Sequence, residues 1–260
     1  LRPAWMLRLG LFLYDHLGGR KRLPGTRPVD LSGPIGAPLK SEFRRGFEYS
    51  DARVDDTRLV VLNARDAEAR GAEIAVGTRV VSVRREGDLW RIVRRELQTG
   101  REDEIAARFL VNAAGPWVDR VIQGPLGRSE AKHVRLVQGS HIVTRKLYDH
   151  DRAFIFQNAD GRIIFAIPYA NDTTLVGTTD RDFSGDPADA AITEEETAYL
   201  LSAASEYFAT PLRRDDIVWS FSGVRPLYDD HASAAQEATR DYVLKTDGAA
   251  GEAAVLNIFG

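Results

Sequence analysis

The order of hydrophobic and polar residues predicts two helices in the first third of the chain. Residues 4–17 are mostly apolar with isolated polar positions, which is typical of a buried or amphipathic helix that ends at a pair of glycines. A helix lying on a membrane surface gives the same pattern, so this alternative stays open. A second helix is predicted from 55 or 56 to about 70, since an aspartate precedes a run with apolar residues on one face. Between them, residues 19–40 are rich in glycine, proline and basic residues and predict a long loop.

Short runs with alternating apolar residues predict strands in most of the remaining chain. These runs are 47–51, 74–76, 78–84, 89–93, 105–109, 109–111, 133–144, 153–157, 162–168, 174–178, 217–222, 242–245 and 255–259. Hairpin turns are predicted at 86–88 and 158–161, where glycine and aspartate interrupt the pattern. A further helix over 193–208 has Thr193 and Glu196 at the spacing of a capping box. This mixture of elements predicts an α/β (α+β) fold.

The segment 109–118 (FLVNAAGPWV) predicts a binding turn. A short apolar strand gives way to Ala113, Ala114 and Gly115, and Pro116 suits the first position of a helix because no N–H is needed there. The backbone N–H groups at such a helix start favour a phosphate or another anion. Small residues in an α/β turn also serve packing alone, so both interpretations stay open.

Composition excludes several classes of protein. A chain of 260 residues that is 43% hydrophobic is sufficient for one large or two modest domains. Its net charge of −3 argues against a nucleic-acid binder. The absence of cysteine excludes disulfides, iron–sulfur ligation and a cysteine nucleophile, and fits a reducing compartment. No apolar run approaches the ~20 residues of a membrane span. Because the chain begins at Leu1 and ends in a strand-like segment, we expect an internal piece of a longer protein.

Nine segments in order resemble the FAD-dependent glycerol-3-phosphate dehydrogenases of the D-amino-acid-oxidase-like flavoprotein group, over nearly the whole chain. They are RGFEYSD (45–51), VDD (54–56), LVNAAGPWV (110–118), GSHIV (139–143), VGTTD (176–180), GDP (185–187), RDDIVW (214–219), SGVRPL (222–227) and TRDY (239–242). The family's Gly-x-Gly-x-x-Gly phosphate loop is absent from these residues, as is its helical carboxy-terminal domain.

The resemblance implies a partial FAD-binding Rossmann-like domain with a β-meander, and a substrate domain with an antiparallel sheet. It assigns 1–45 to the substrate or cap region, 46–125 to the FAD-binding domain, 126–245 to the substrate domain and 246–260 to a strand returning to the FAD-binding domain. The implied reaction is oxidation of sn-glycerol 3-phosphate to dihydroxyacetone phosphate, with electrons passed to a quinone.

The resemblance also implies roles for individual residues, each with a structural alternative. Arg225 matches the family's active-site arginine, or pairs with Asp229 or Asp230. His141 is a candidate general base, or a histidine hydrogen-bonded within the sheet. Arg240 is expected at the substrate phosphate, or pairs with Asp241. The hydroxyl groups of Thr178 and Thr179 are candidate substrate contacts, or stabilise a turn.

For the cofactor FAD, the resemblance implies contacts at Ala113, Ala114, Gly115 and Trp117 and at the backbone of Val80, where packing is the alternative. The histidines lack metal-ligand spacing, so no metal is expected. The implied location is cytoplasmic, peripheral on the cytoplasmic face of the membrane, and a homodimer is one assembly that the resemblance allows. Two other functions stay open: an amine or amino-acid oxidase of the same flavoprotein group, and a catalytically silent truncated binding domain.

Overall fold

The computed structural model describes residues 3–17, 22–127, 133–170, 172–229 and 241–260. Within these ranges the α-helices are α1 (Ala4–His16), α2 (Asp56–Ala69), α3 (Val118–Gln123) and α4 (Glu194–Ser205). The strands of the same ranges are β1 (Arg27–Asp30), β2 (Arg45–Glu48), β3 (Thr78–Glu86), β4 (Leu89–Glu96), β5 (Glu102–Ala107), β6 (Phe109–Asn112), β7 (Val134–Arg145), β8 (Phe154–Gln157), β9 (Ile163–Tyr169), β10 (Thr173–Gly177), β11 (Arg181–Asp182), β12 (Ile217–Tyr228), β13 (Val243–Asp247) and β14 (Ala254–Phe259).

Residue contacts divide the chain into two compact units, each built from separate stretches. Unit 1 comprises residues 1–53, 139–179 and 191–222, and unit 2 comprises 54–138, 180–190 and 223–260. The chain passes from one unit to the other within β7 and again within β12. The functional domains expected from the sequence stay a prediction, since compactness alone does not assign a function to either unit.

Unit 1 contains an antiparallel sheet in the order β7-β10-β9-β8 with α4 against its core. Apolar side chains of α4 join those of the strands in one buried cluster that includes Leu200, Ala204, Ile164 and Val176. The register pairs Gly177 at the end of β10 with His141 of β7. This pairing fixes where the histidine meets the neighbouring strand.

Unit 2 contains two three-stranded sheets. One is the antiparallel meander β3-β4-β5, and the other has the order β13-β14-β6 with β14 parallel to β6. Trp90 of the meander is buried, and its indole Nε1 donates to the carbonyl oxygen of Ala254 at 2.8 Å. Because β6 runs parallel to β14 and leads directly into a helix, the small-residue turn lies at the carboxyl end of a parallel strand, where ligands of α/β proteins bind.

Helix ends are predicted well by their capping residues. The Asp55 side chain accepts from the backbone N–H of Arg58 at 3.0 Å and begins α2, as the sequence indicates. The capping box of α4 is present in both directions between Thr193 and Glu196.

Helix α1 matches its predicted bounds closely, but none of its residues is buried. No helix in the described ranges is long and apolar enough to cross a membrane.

One loop prediction and one strand prediction are wrong, and another strand ends earlier than predicted. The predicted loop over 19–40 contains β1, which pairs antiparallel with β2, and Pro28 within it weakened the strand signal. Residues 74–76 form no strand and lead into a turn at Gly77. The strand predicted over 105–109 is present only as far as Ala107, because the chain leaves the meander there and β6 begins at Phe109 in a different sheet.

Candidate functional site

The side-chain amide of a buried asparagine stabilises the turn after β6. Asn112 is 4% exposed, and its Nδ2 donates to the carbonyl oxygen of Val118 at 3.1 Å and to Oδ1 of Asn257 at 3.0 Å. Gly115 adopts φ +53°, and among the described residues no atom other than those of its chain neighbours would lie within 4 Å of a Cβ there. The turn therefore has a fixed shape and an open surface, which fits the close approach of a nucleotide backbone.

The helix after this turn contributes less than the sequence indicates. Gly115–Trp117 form a single 3-10 turn, and α3 has only six residues. Asp119 lies in the first turn of α3, and its carboxylate accepts from the backbone N–H groups of His133 and Val134. The open glycine turn, rather than a strong helix dipole, is the feature that fits FAD.

An unpredicted aspartate fixes Trp117. The indole Nε1 donates to Oδ1 of Asp186 at 3.1 Å, and Nη1 of Arg120 donates to Oδ2 of the same carboxylate at 2.6 Å. Hydrogen bonds from Arg120, the backbone of Ala188 and Trp117 lower the pKa of Asp186 to about 2. Asp186 therefore stays ionised at neutral pH and keeps the indole N–H occupied, so a contact of Trp117 with FAD would use the ring surface.

Val80 lies on β3 beside an irregularity in the strand. It is 40% exposed, and the pairing of β3 with β4 shifts register between Val80 and Ser82. An irregular strand leaves backbone groups outside the regular ladder of hydrogen bonds. This position is compatible with a backbone contact to the cofactor, which stays a prediction.

Arg225 is half-buried on β12 and forms an ion pair. Its Nη1 donates to Oδ1 of Asp180 at 2.7 Å, and the two side chains are 32% and 15% exposed. The structural alternative for Arg225 is an ion pair with Asp229 or Asp230. Asp230 lies outside the described residues, and the ion pair present joins Arg225 to Asp180, 45 positions earlier in the chain. This ion pair holds the guanidinium in place.

His141 is held between a glycine and an aromatic ring. Its imidazole stacks on Phe221 with ring centroids 5.0 Å apart and an angle of 11° between the planes. On Gly177, a Cβ would lie 2.2 Å from Cδ2 of His141, so only glycine leaves room for the ring. These neighbours fix the plane of the imidazole, as a proton-accepting group requires. The role of His141 as a base stays a prediction.

The two threonines differ in their surroundings. Thr179 is 3% exposed, and its hydroxyl donates to Oε1 of Glu196 at 2.6 Å and accepts from the backbone N–H of Ser140 at 2.9 Å. This geometry favours the structural alternative for Thr179. Thr178 is half-buried and donates to the carbonyl oxygen of Thr179 at 3.1 Å, and its substrate contact stays a prediction. Arg240 lies outside the described residues.

Sequence reasoning missed the residues that hold the candidates in place. Asp180 and Asp186 lie inside segments already singled out (176–180 and 185–187), but no spacing rule links them to Arg225 or Trp117. Glu196 was recognised only as a capping-box residue. Its strand partners are 17 and 56 positions away, so the local pattern could not reveal them.

Comparison with known proteins identifies the family of proteins to which the chain belongs. Residues 12–251 match the model of the family described as FAD dependent oxidoreductase, and the chain belongs to this family.

Three similar proteins narrow the comparison. Over all 260 residues the chain is 53% identical to a glycerol-3-phosphate dehydrogenase of Pseudomonas aeruginosa and 50% identical to a D-erythritol 1-phosphate dehydrogenase of Brucella abortus, covering 50% and 52% of those proteins. A crystal structure of the glycerol-3-phosphate dehydrogenase from Bacillus halodurans complexed with FAD superimposes with a TM-score of 0.70 at 27% identity, over 89% of this chain and 47% of that one. The chain thus spans about half the length of the curated relatives it matches.

Proposed function

We propose that this chain is part of an FAD-dependent dehydrogenase that oxidises sn-glycerol 3-phosphate to dihydroxyacetone phosphate and passes the electrons to a quinone. The observation that carries this proposal is the 53% identity, over all 260 residues, to a protein named glycerol-3-phosphate dehydrogenase. The half-buried Arg225, held by Asp180, supports it, because a fixed guanidinium suits the recognition of a phosphate or a developing oxyanion.

The residues of the turn after β6 would hold FAD. The backbone of Ala113, Ala114 and Gly115 would face its phosphates, and Trp117 and the backbone of Val80 would contact its adenosine part. When bound, the flavin would accept the hydride that leaves the carbinol carbon of the substrate.

The residues of this chain would bind the substrate, stabilise the negative charge that develops during the reaction and accept the hydroxyl proton. Arg225 would stabilise the negative charge that develops on the reacting oxygen, or hold a phosphate oxygen. An imidazole nitrogen of His141 would accept the hydroxyl proton as the carbon–oxygen double bond forms. Arg240 would bind the phosphate, and the hydroxyl oxygen of Thr178 would accept a hydrogen bond from a substrate hydroxyl. The whole enzyme would lie in the cytoplasm, attached peripherally to the cytoplasmic face of a membrane, and a homodimer is compatible with this proposal.

A second candidate substrate is D-erythritol 1-phosphate, because a relative that is 50% identical over the whole chain carries that name. Both compounds are polyol phosphates, so Arg225 and Arg240 would serve either of them. An amine substrate is less well supported, since amine oxidation needs no pair of arginines suited to a phosphate.

A chimera provides the test. These 260 residues replace the matching segment of the Pseudomonas aeruginosa relative, and flavin absorbance and dye reduction are measured with glycerol 3-phosphate, D-erythritol 1-phosphate and sarcosine. We expect a flavin-bound protein that reduces the dye fastest with glycerol 3-phosphate. Faster reduction with D-erythritol 1-phosphate would replace the proposed substrate, and a flavin-bound chimera active on neither phosphate would overturn the proposal.

Substitution of Arg225 separates its role from cofactor binding. Arg225→Ala in the chimera is expected to reduce kcat/KM by about 100-fold or more while flavin stays bound. Arg214→Ala is the matched control, because Arg214 is an exposed arginine paired with Glu194. Near-normal turnover of Arg225→Ala would remove Arg225 from the proposed site.

A further inference from the structure

A buried carboxylate connects three strands of unit 1. Glu196 is 6% exposed, and its Oε1 accepts hydrogen bonds from Oγ1 of Thr179 at 2.6 Å and from Oγ of Ser140 at 2.8 Å. Oγ of Ser140 also contacts Oγ of Ser222 at 2.8 Å. We call Ser140, Thr179, Glu196 and Ser222 the Glu196 cluster. Ser140 lies on β7, Glu196 on α4 and Ser222 on β12, and Thr179 lies two residues after the end of β10.

The ionised carboxylate gives these hydrogen bonds a direction. A carboxylate only accepts, so the hydroxyl protons of Ser140 and Thr179 point at Glu196. Oγ of Ser140 then accepts the proton of Ser222. Burial alone would raise the pKa of the Glu196 carboxyl, but hydrogen bonds from Thr179, Thr193 and Ser140 bring that pKa below its ordinary value. The cluster therefore has one hydrogen-bond arrangement at neutral pH.

Ser140 and Ser222 are each adjacent in sequence to a member of the stacked His141–Phe221 pair, and Thr179 lies close in sequence to Gly177. Ser140 precedes His141, Ser222 follows Phe221, and Thr179 lies two residues after Gly177. Neighbouring side chains of a strand point to opposite faces, so the hydroxyl groups of Ser140 and Ser222 meet on one face while His141 and Phe221 stack on the other. A change in the spacing of these strands would move the imidazole relative to both Gly177 and Phe221.

We propose that Glu196 is a positioning residue for His141. Its carboxylate fixes the spacing of β7, β12 and the end of β10, and thereby holds the imidazole between Gly177 and the ring of Phe221. The positioning stands on contacts within unit 1, and only its consequence for turnover rests on the proposed function.

The test compares Glu196→Ala with Thr193→Ala. Thr193→Ala removes the hydroxyl that caps the N–H of Glu196, and leaves the contacts of Glu196 with the strands. The readout is the imidazole proton resonance of His141, which the stacked Phe221 ring displaces upfield, assigned with His141→Gln. His150, whose ring lies against Tyr148, serves as the reference.

We expect Glu196→Ala to lose the upfield displacement of His141 while His150 keeps its resonance. Thr193→Ala should lower the unfolding midpoint and leave His141 unchanged, and Glu196→Gln should restore most of the displacement. If Glu196→Ala fails to fold, Ser222→Ala removes one hydrogen bond of the cluster, and a partial loss is expected. An unchanged His141 resonance in a folded Glu196→Ala or Ser222→Ala protein would overturn the proposal.

Turnover in the chimera distinguishes this proposal from the proposed function. A lower kcat in Glu196→Ala, with KM for glycerol 3-phosphate retained, supports both. A displaced His141 resonance with unchanged kcat supports the positioning role and removes His141 from the proposed reaction.

Discussion

Gly177→Ala is the substitution whose effect can be worked out most directly from the structure. Gly177 ends β10 opposite His141, and a Cβ on it would lie 2.2, 2.7 and 2.8 Å from three atoms of the imidazole. The optimal separation of two carbon atoms that are not bonded to each other is about 3.5–4.0 Å. The added methyl group must therefore push the ring away by roughly 1 Å or more.

The ring has little freedom to move, because its other face stacks on Phe221. Overpacking of this kind costs about 1–3 kcal/mol. Replacing glycine with alanine returns about 0.4–1 kcal/mol by restricting the unfolded chain. We therefore expect a net loss of about 1–2 kcal/mol in the free energy of unfolding.

The assay is urea denaturation followed by circular dichroism, with the m-value checked for each variant. Gly223→Ala is the matched control, because Gly223 also lies in a strand and a Cβ there would meet nothing within 4 Å. This control should be neutral or stabilised by about 0.5 kcal/mol.

The decisive comparison removes the ring. In a His141→Ala background the clash is absent, so Gly177→Ala should be neutral or stabilise by up to about 1 kcal/mol, giving a coupling energy of about 1–3 kcal/mol between the two sites. An equal loss with and without the imidazole would refute the reasoning, because the cost would then arise from the strand backbone rather than from contact with His141.

Three further predictions concern other parts of the chain. The Glu196 carboxyl has a folded-state pKa below its ordinary value, so its contribution to stability is complete above the unfolded-state pKa and is lost as pH falls through the folded-state pKa. In urea denaturation between neutral and acid pH, the free energy of unfolding should therefore decline less steeply in Glu196→Gln. Trp90→Phe deletes the hydrogen bond to the carbonyl oxygen of Ala254 and should cost about 1–2 kcal/mol by the same assay. Gly10→Ala, in open space on α1, should stabilise the chain by about 0.5–1 kcal/mol, measured as a higher melting midpoint.

The fold could be predicted where local chemistry decides it. Asp55 and Thr193 supply side-chain caps that begin α2 and α4, and hairpin turns at Gly87 and Gly161 separate strands with alternating apolar residues. The strand β1 could not be found this way, because it carries charged residues and a proline, and forms only by pairing with β2.

The run 105–109 shows a second limit of local patterns. Arg108 interrupts its apolar residues but no glycine or proline marks a turn, yet β5 belongs to the meander and β6 pairs with β14. A strand changes sheets here because of partners that are far away in the sequence. Periodicity reports that a residue is buried on one face, but it does not report which sheet buries it.

The candidate site shows the same division between residues and their partners. Motif resemblance singled out Arg225, His141 and the turn at Ala113, and their roles stay predictions. The motifs could not show that the hydroxyl group of Thr179 donates its hydrogen bond to Glu196. The partner that decides between the substrate role and the structural role of Thr179 lies 17 positions away, on a helix.

The three carboxylates that hold candidate site elements lie close together in sequence, within 180–196. Asp180 binds Arg225, Asp186 binds Trp117, and Glu196 binds the hydroxyl groups beside His141. In the sequence this stretch looks like a solvated connection leading into a capped helix, since charged residues in such segments are usually exposed. Each of these acids instead has a cationic, indole or hydroxyl partner. Within their own units, Asp180, Asp186 and Glu196 therefore act as acceptors that orient candidate residues drawn from elsewhere in the chain.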